Sequence, residues 1–111
     1  MRYWGNDIVA LDDPEFQRTD RLDKWFDKVC TTQERNQILD SDNFHIARCR
    51  IWACKESAYK VLIKIGMEPF LNARRIEIFP SGSLLGKNIH FNAHCGKREL
   101  FGYSVLAGHW V

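Results

Sequence analysis

The longest periodic stretch of this chain covers residues 44–65, and everything else has to be arranged around it. Gly66 stands where a left-handed cap is expected, and Pro69 follows where a helix can no longer continue, so the spacing predicts one long central helix. At about 100° per residue, Ala47, Ile51, Cys54, Ala58, Leu62 and Ile65 fill one arc of it. His45, Cys49, Trp52, Lys60 and Ile63 gather on the other side near Glu56. One arc is suited to a core; the other is semi-apolar and carries an acid.

The segments on either side supply what such a helix packs against. Residues 3–11 are an apolar run rich in β-branched and aromatic side chains, a buried strand that Asp12-Asp13-Pro14 brings to an end. From 14 to 29, Phe16, Leu22, Trp25, Phe26 and Val29 recur at helical spacing, which predicts one or two helices. Thr31 with Glu34 three residues later reads as a capping box opening a short helix to Leu39, and 40–43 break it and cap the next. Beyond Arg74 the pattern changes to strand-like runs at 76–79, 88–91 and 100–106, with turns at Pro80-Ser81-Gly82, Gly86 and Cys95-Gly96. The expected architecture is α+β, an antiparallel sheet meander packed against the long central helix.

With 111 residues, 45% of them hydrophobic and 27% charged, the chain suits one domain, 1–111, with a single core. A net charge of +2 gives no composition-level case for a nucleic-acid partner. No window approaches the ~18 apolar residues of a membrane-spanning helix. Cys30, Cys49, Cys54 and Cys95 form no C-x-x-C pair, and Met1-Arg2-Tyr3-Trp4 is not the start of a secretory signal, so we expect reduced thiols in a cytoplasmic protein.

Two acids stand out. A carboxylate in the middle of a buried strand costs several kcal/mol unless it is paired or binds a metal, and Asp7 lies between Gly5 and Val9 in such a strand. A strand-end position with backbone or arginine partners would account for it equally well. Glu56 has Lys60 four residues on, so an intrahelical ion pair of a few tenths of a kcal/mol is the plain alternative there. The chemical reading joins the two acids: carboxylates from two different elements are usual oxygen ligands of Mg²⁺, and neighbouring lysines hold the substrate phosphates that complete its coordination. Asp7, Glu56, Lys55 and Lys60 fit that chemistry.

Gly5-Asn6-Asp7-Ile8-Val9 and the Trp52-Ala53-Cys54-Lys55-Glu56-Ser57-Ala58-Tyr59-Lys60 segment together resemble the G-x-D-I-V and W-x-x-K-E-[SA]-x-x-K signature of the 4′-phosphopantetheinyl transferase superfamily. The short distance between them, and Lys28-Val29-Cys30-Thr31-Thr32-Gln33-Glu34 beside the family's R-[VI]-[FL]-T-x-x-E segment, resemble the small holo-acyl-carrier-protein synthase type. Lys28 and Cys30 depart from that segment.

The resemblance implies Mg²⁺-dependent transfer of the 4′-phosphopantetheine arm from coenzyme A to a serine of an apo acyl or peptidyl carrier protein. Asp7 and Glu56 become metal ligands, with Glu56 or a water it orients as base. Lys60 becomes the cation that stabilises charge during transfer, and Lys55 a second phosphate contact, although it points about 100° away from Glu56. A homotrimer with coenzyme A between neighbouring copies is the implied assembly. Arg18, Arg21, Lys24 and Lys28 are candidate contacts for an acidic carrier, interleaved with Asp20, Asp23 and Asp27.

Members of the superfamily continue into a strand with a serine–histidine motif, whereas this sequence stops at Gly108-His109-Trp110-Val111. Three readings stay open: His109 replaces that histidine, the segment has been lost, or the chain is part of a longer polypeptide. The competing functional reading is accordingly a truncated homologue that binds coenzyme A or a carrier without catalysis. His90, His94 and Cys95 match no common zinc spacing and read as surface or hydrogen-bonding residues.

Overall fold

The computed structural model describes residues 4–10, 22–70 and 72–107, with residues 4–10 and Ala107 described through their backbone alone. In chain order the elements are β1 (Trp4–Ala10), α1 (Leu22–Val29), α2 (Thr32–Leu39), α3 (Phe44–Lys64), a 3₁₀ turn at Ala73–Arg75, β2 (Glu77–Pro80), β3 (Asn88–Cys95) and β4 (Arg98–Ala107). The part of the expected 14–29 helical region before Leu22 lies outside the described residues, as does His109.

Strands β2, β3 and β4 form the antiparallel meander that the turn signals predict. The fold is α+β, with α3 as the long central helix. Strand β1 adds to the free edge of β4 in parallel, giving the order β1-β4-β3-β2. A parallel neighbour needs a long crossover, and here the three helices and the meander intervene.

Alternation sets which face of the sheet is buried. Ile89, Phe91, Ala93 and Cys95 of β3, with Leu100, Ser104 and Leu106 of β4, are buried, while His90 and Tyr103 on the opposite face are exposed. Strand β3 runs on to Cys95, and β4 starts at Arg98, because Asn92 and His94 face outward opposite Phe101 and Glu99. Polar residues at those positions disguise a strand as a loop in the bare sequence. Gly96, with φ 61°, supplies the positive dihedral that the first central position of the two-residue turn requires.

Helix α3 packs on β1 and β4 and also touches β2, β3 and α2. The expected core arc is buried throughout its length from Ala47 to Leu62 and joins Phe26, Val29 and Ile38 of the smaller helices in one cluster with the sheet. The helix is more enclosed than its wheel suggests, because Arg48, Arg50, Lys55 and Ser57 are buried as well. Three long cationic side chains inside a small protein must be satisfied by specific partners.

Candidate active site

The capping box expected at Thr31 is present, and it anchors one wall of the site. Thr31 Oγ1 accepts from the Glu34 amide at 3.3 Å, and Glu34 Oε1 accepts from the Thr31 amide at 2.8 Å. Glu34 is fully buried and does more than cap. Its other oxygen accepts from the Ile78 amide at 2.8 Å, tying α2 to β2, and Oε1 also lies 2.8 Å from Lys55 Nζ. Lys55 further donates to the carbonyls of Ala73 at 3.0 Å and Ile76 at 2.5 Å. Its three donors are thus all used inside the protein.

With these partners Lys55, expected as a phosphate contact, ties α3 to the 3₁₀ turn and forms part of the floor of a cavity. Cys30, beside this knot, has its thiol pushed up to about 12, first by burial and then by the Glu34 carboxylate.

The cavity, of about 240 Å³, opens alongside the middle of α3 and is lined by Trp52, Lys55, Glu56, Tyr59, Lys60, Phe70, Ala73 and Ile76. Tyr59 meets Phe70 edge-on at 5.1 Å, and the Arg75 guanidinium lies over the Phe70 ring at 4.3 Å. Its lining is mainly apolar and aromatic, with the Glu56 carboxylate and the ammonium groups of Lys55 and Lys60, all from α3.

Glu56 is half-buried and Lys60 exposed. Among the described residues neither side chain makes a hydrogen bond or an ion pair, so the intrahelical pair that would have explained Glu56 away is not formed. Asp7 occupies the centre of β1, in register with Ser104 of β4, and α3 packs on this seam; the carboxylate of Asp7 lies outside the described residues. The structure therefore joins Glu56 and Lys60 at one cavity, turns Lys55 to its floor, and sets the strand of Asp7 beside the helix. Half-buried, unpaired and acidic, Glu56 is a suitable oxygen donor for a hard divalent cation.

The remaining candidates separate. His94 pairs with Glu99 at 2.9 Å and meets the edge of Phe79 on the outer face of the sheet, while Cys95 points into the core. Among the described residues no group of three or more His, Cys, Asp or Glu side chains converges. Lys24 and Lys28 are exposed on α1; Arg18 and Arg21 lie outside the described residues.

Sequence reasoning missed the Glu34–Lys55 pair, Phe70 with Arg75, and Arg50. Arg50 could have been found, since on the helical wheel it falls beside Cys54 and Ala47, in the apolar arc where a cation needs an explanation. Nothing in the pattern flags Phe70.

A family model matches residues 3–100, nearly the whole chain, and its description is the 4′-phosphopantetheinyl transferase superfamily. The chain belongs to that superfamily. No curated protein and no solved structure matches it. The superfamily match spans β1, all three helices and the β2–β3 meander, so the acids of β1 and α3 lie within one matched unit. As a phosphopantetheinyl transferase superfamily member, the protein carries its lysine–glutamate pair at the centre of α3, where both residues line the cavity, Lys55 buried in its floor and Glu56 half-buried.

Proposed function

We propose that the protein transfers 4′-phosphopantetheine from coenzyme A to a serine hydroxyl of an apo acyl or peptidyl carrier protein, with Mg²⁺ as cofactor. The observation that carries this reading is the half-buried Glu56 carboxylate at an apolar cavity, one turn from Lys60, both without an ion-pair partner among the described residues.

In this reading Asp7 and Glu56 hold the cation, which supplies charge neutralisation on the pyrophosphate. Glu56, directly or through a water it orients, takes the serine proton as the serine oxygen bonds to the phosphorus bearing the pantetheine arm. The bond from that phosphorus to the bridging oxygen breaks, and 3′,5′-adenosine bisphosphate leaves. Lys60 stabilises the charge that develops on the phosphate oxygens. The arm carries a dimethyl-substituted carbon one methylene away from the transferred phosphate ester, and the Trp52, Tyr59 and Phe70 walls give it a place away from water. Lys55 acts from below by holding the cavity floor. Lys24 and Lys28 are the described cations available to an acidic carrier, and a homotrimer in the cytoplasm completes the proposal.

Incubation with coenzyme A, Mg²⁺ and apo carrier proteins from fatty-acid, polyketide and peptide synthesis tests it by mass spectrometry. The expected result is gain of the arm's mass by at least one carrier, lost on chelation and in Glu56→Gln. Absence of any gain, with a working control transferase, rejects the transferase; coenzyme A binding without transfer would identify a binding-only homologue instead. Light scattering checks the trimer.

A further inference from the structure

Arg50 is buried to the point of zero exposure, on the face of α3 that looks at the sheet. All five of its N–H donors are used. Nε donates to Ser104 Oγ at 3.1 Å and one terminal nitrogen to the Ser104 carbonyl at 2.7 Å and the Lys87 carbonyl at 3.1 Å. The other terminal nitrogen donates to the carbonyls of Leu84, at 3.2 Å, and Gly86. Among the described residues every acceptor is neutral. A guanidinium that donates to neutral groups is an expensive way to join secondary structure, since apolar side chains of similar volume often do as well or better.

What distinguishes this arrangement is where it attaches. Ser104 accepts from Arg50 with both its hydroxyl and its carbonyl, and Ser104 is the residue of β4 in register with Asp7 of β1. The Lys87 carbonyl also accepts from the Leu106 amide at 2.9 Å, so the same fork fixes the far end of β4 and the approach to β3. Glu56 lies further along the same helix. A planar fork with five fixed directions sets both distance and angle between α3 and the β1–β4 seam, which a flexible apolar contact cannot do.

We propose that Arg50 is a positioning residue for the cation site, locking β4 at Ser104 to α3 and thereby fixing where Asp7 stands relative to Glu56. This rests on the reading of Asp7 and Glu56 as a carboxylate pair for a divalent cation. Residues that orient metal ligands without touching the metal commonly change its affinity by about 10–100-fold when replaced.

The test titrates Mg²⁺ and Mn²⁺ by calorimetry, with coenzyme A present, into the full chain and its Arg50→Lys and Ser104→Ala variants, below each variant's own Tm. Arg50→Lys keeps the charge and loses the fork; Ser104→Ala removes one acceptor and leaves the charge and carbonyl. The expected result is cation affinity weakened about tenfold or more in Arg50→Lys, and a smaller weakening in Ser104→Ala. Unchanged affinity alongside a lowered Tm makes Arg50 a stability residue and overturns the proposal, while leaving the transferase reading intact. A wild-type chain that takes up no cation overturns the carboxylate pair itself and this proposal with it. Should Arg50→Lys fail to fold, Ser104→Ala decides by the same criterion, unchanged affinity counting against.

Discussion

Glu34 and Lys55 form an ion pair in which both partners are at most 2% exposed, and each oxygen and donor has further work. Removing one member leaves the other as an uncompensated buried charge, and for Glu34 it also strands the Thr31 and Ile78 amides. Glu34→Ala should therefore cost about 3–5 kcal/mol by urea denaturation. A double-mutant cycle with Lys55→Met should return a coupling of about 1 kcal/mol or more, since both side chains belong to one network. Cys30 gives a second residue-level expectation. Its native thiol titrates at about 12 against an ordinary 9.0, so the folded state holds the proton more tightly. That contribution is whole below pH 9.0 and is lost as pH rises towards 12, at about 1.4 kcal/mol per unit. Wild type should lose stability faster than Cys30→Ala across that window in parallel denaturation series; identical slopes would contradict the assignment.

Among the elements, the long helix and its stop were the most readable, because the 3.6-residue apolar period and a glycine at the end act locally and together. Gly66 has φ 101° and open space where a Cβ would sit, so Gly66→Ala meets no steric neighbour and is penalised through the backbone alone. A loss of about 1 kcal/mol in Tm-derived stability is expected, with ligand binding unchanged. The capping box and the meander were readable for the same local reason. The parallel placement of β1 was not, because a strand's partner is chosen by tertiary packing, and Asn92 and His94 hid the end of β3 by facing solvent. At the cavity, motif and wheel already set Glu56 and Lys60 on one face of α3, whereas the burial of Lys55 was not legible, because its partners Glu34, Ala73 and Ile76 are distant in sequence.

For the molecule as a whole, the proposed division of the site between β1 and α3 should make ligand binding and global stability one equilibrium. Coenzyme A with Mg²⁺ at about 100 times Kd should add about 2.7 kcal/mol and raise Tm by several degrees, and neither component alone should do as much. Glu56→Gln should unfold at nearly the wild-type temperature without ligand, because Glu56 has no hydrogen-bond or ion-pair partner for its side chain among the described residues, and should lose the ligand-dependent rise. A rise that survives the substitution would place the cation elsewhere. The pairing of Trp4 with Phe101 has a further consequence in time. During synthesis β1 emerges ahead of the other described elements, yet its hydrogen-bonding partner is β4, which can also close a local hairpin with β3 across Gly96. The strand carrying Asp7 must wait for β4 to be made, so the event that completes the described sheet is also the one on which the proposed pairing of the two acids depends. A nascent chain of this protein should acquire its fold and its capacity for a cation in the same late step.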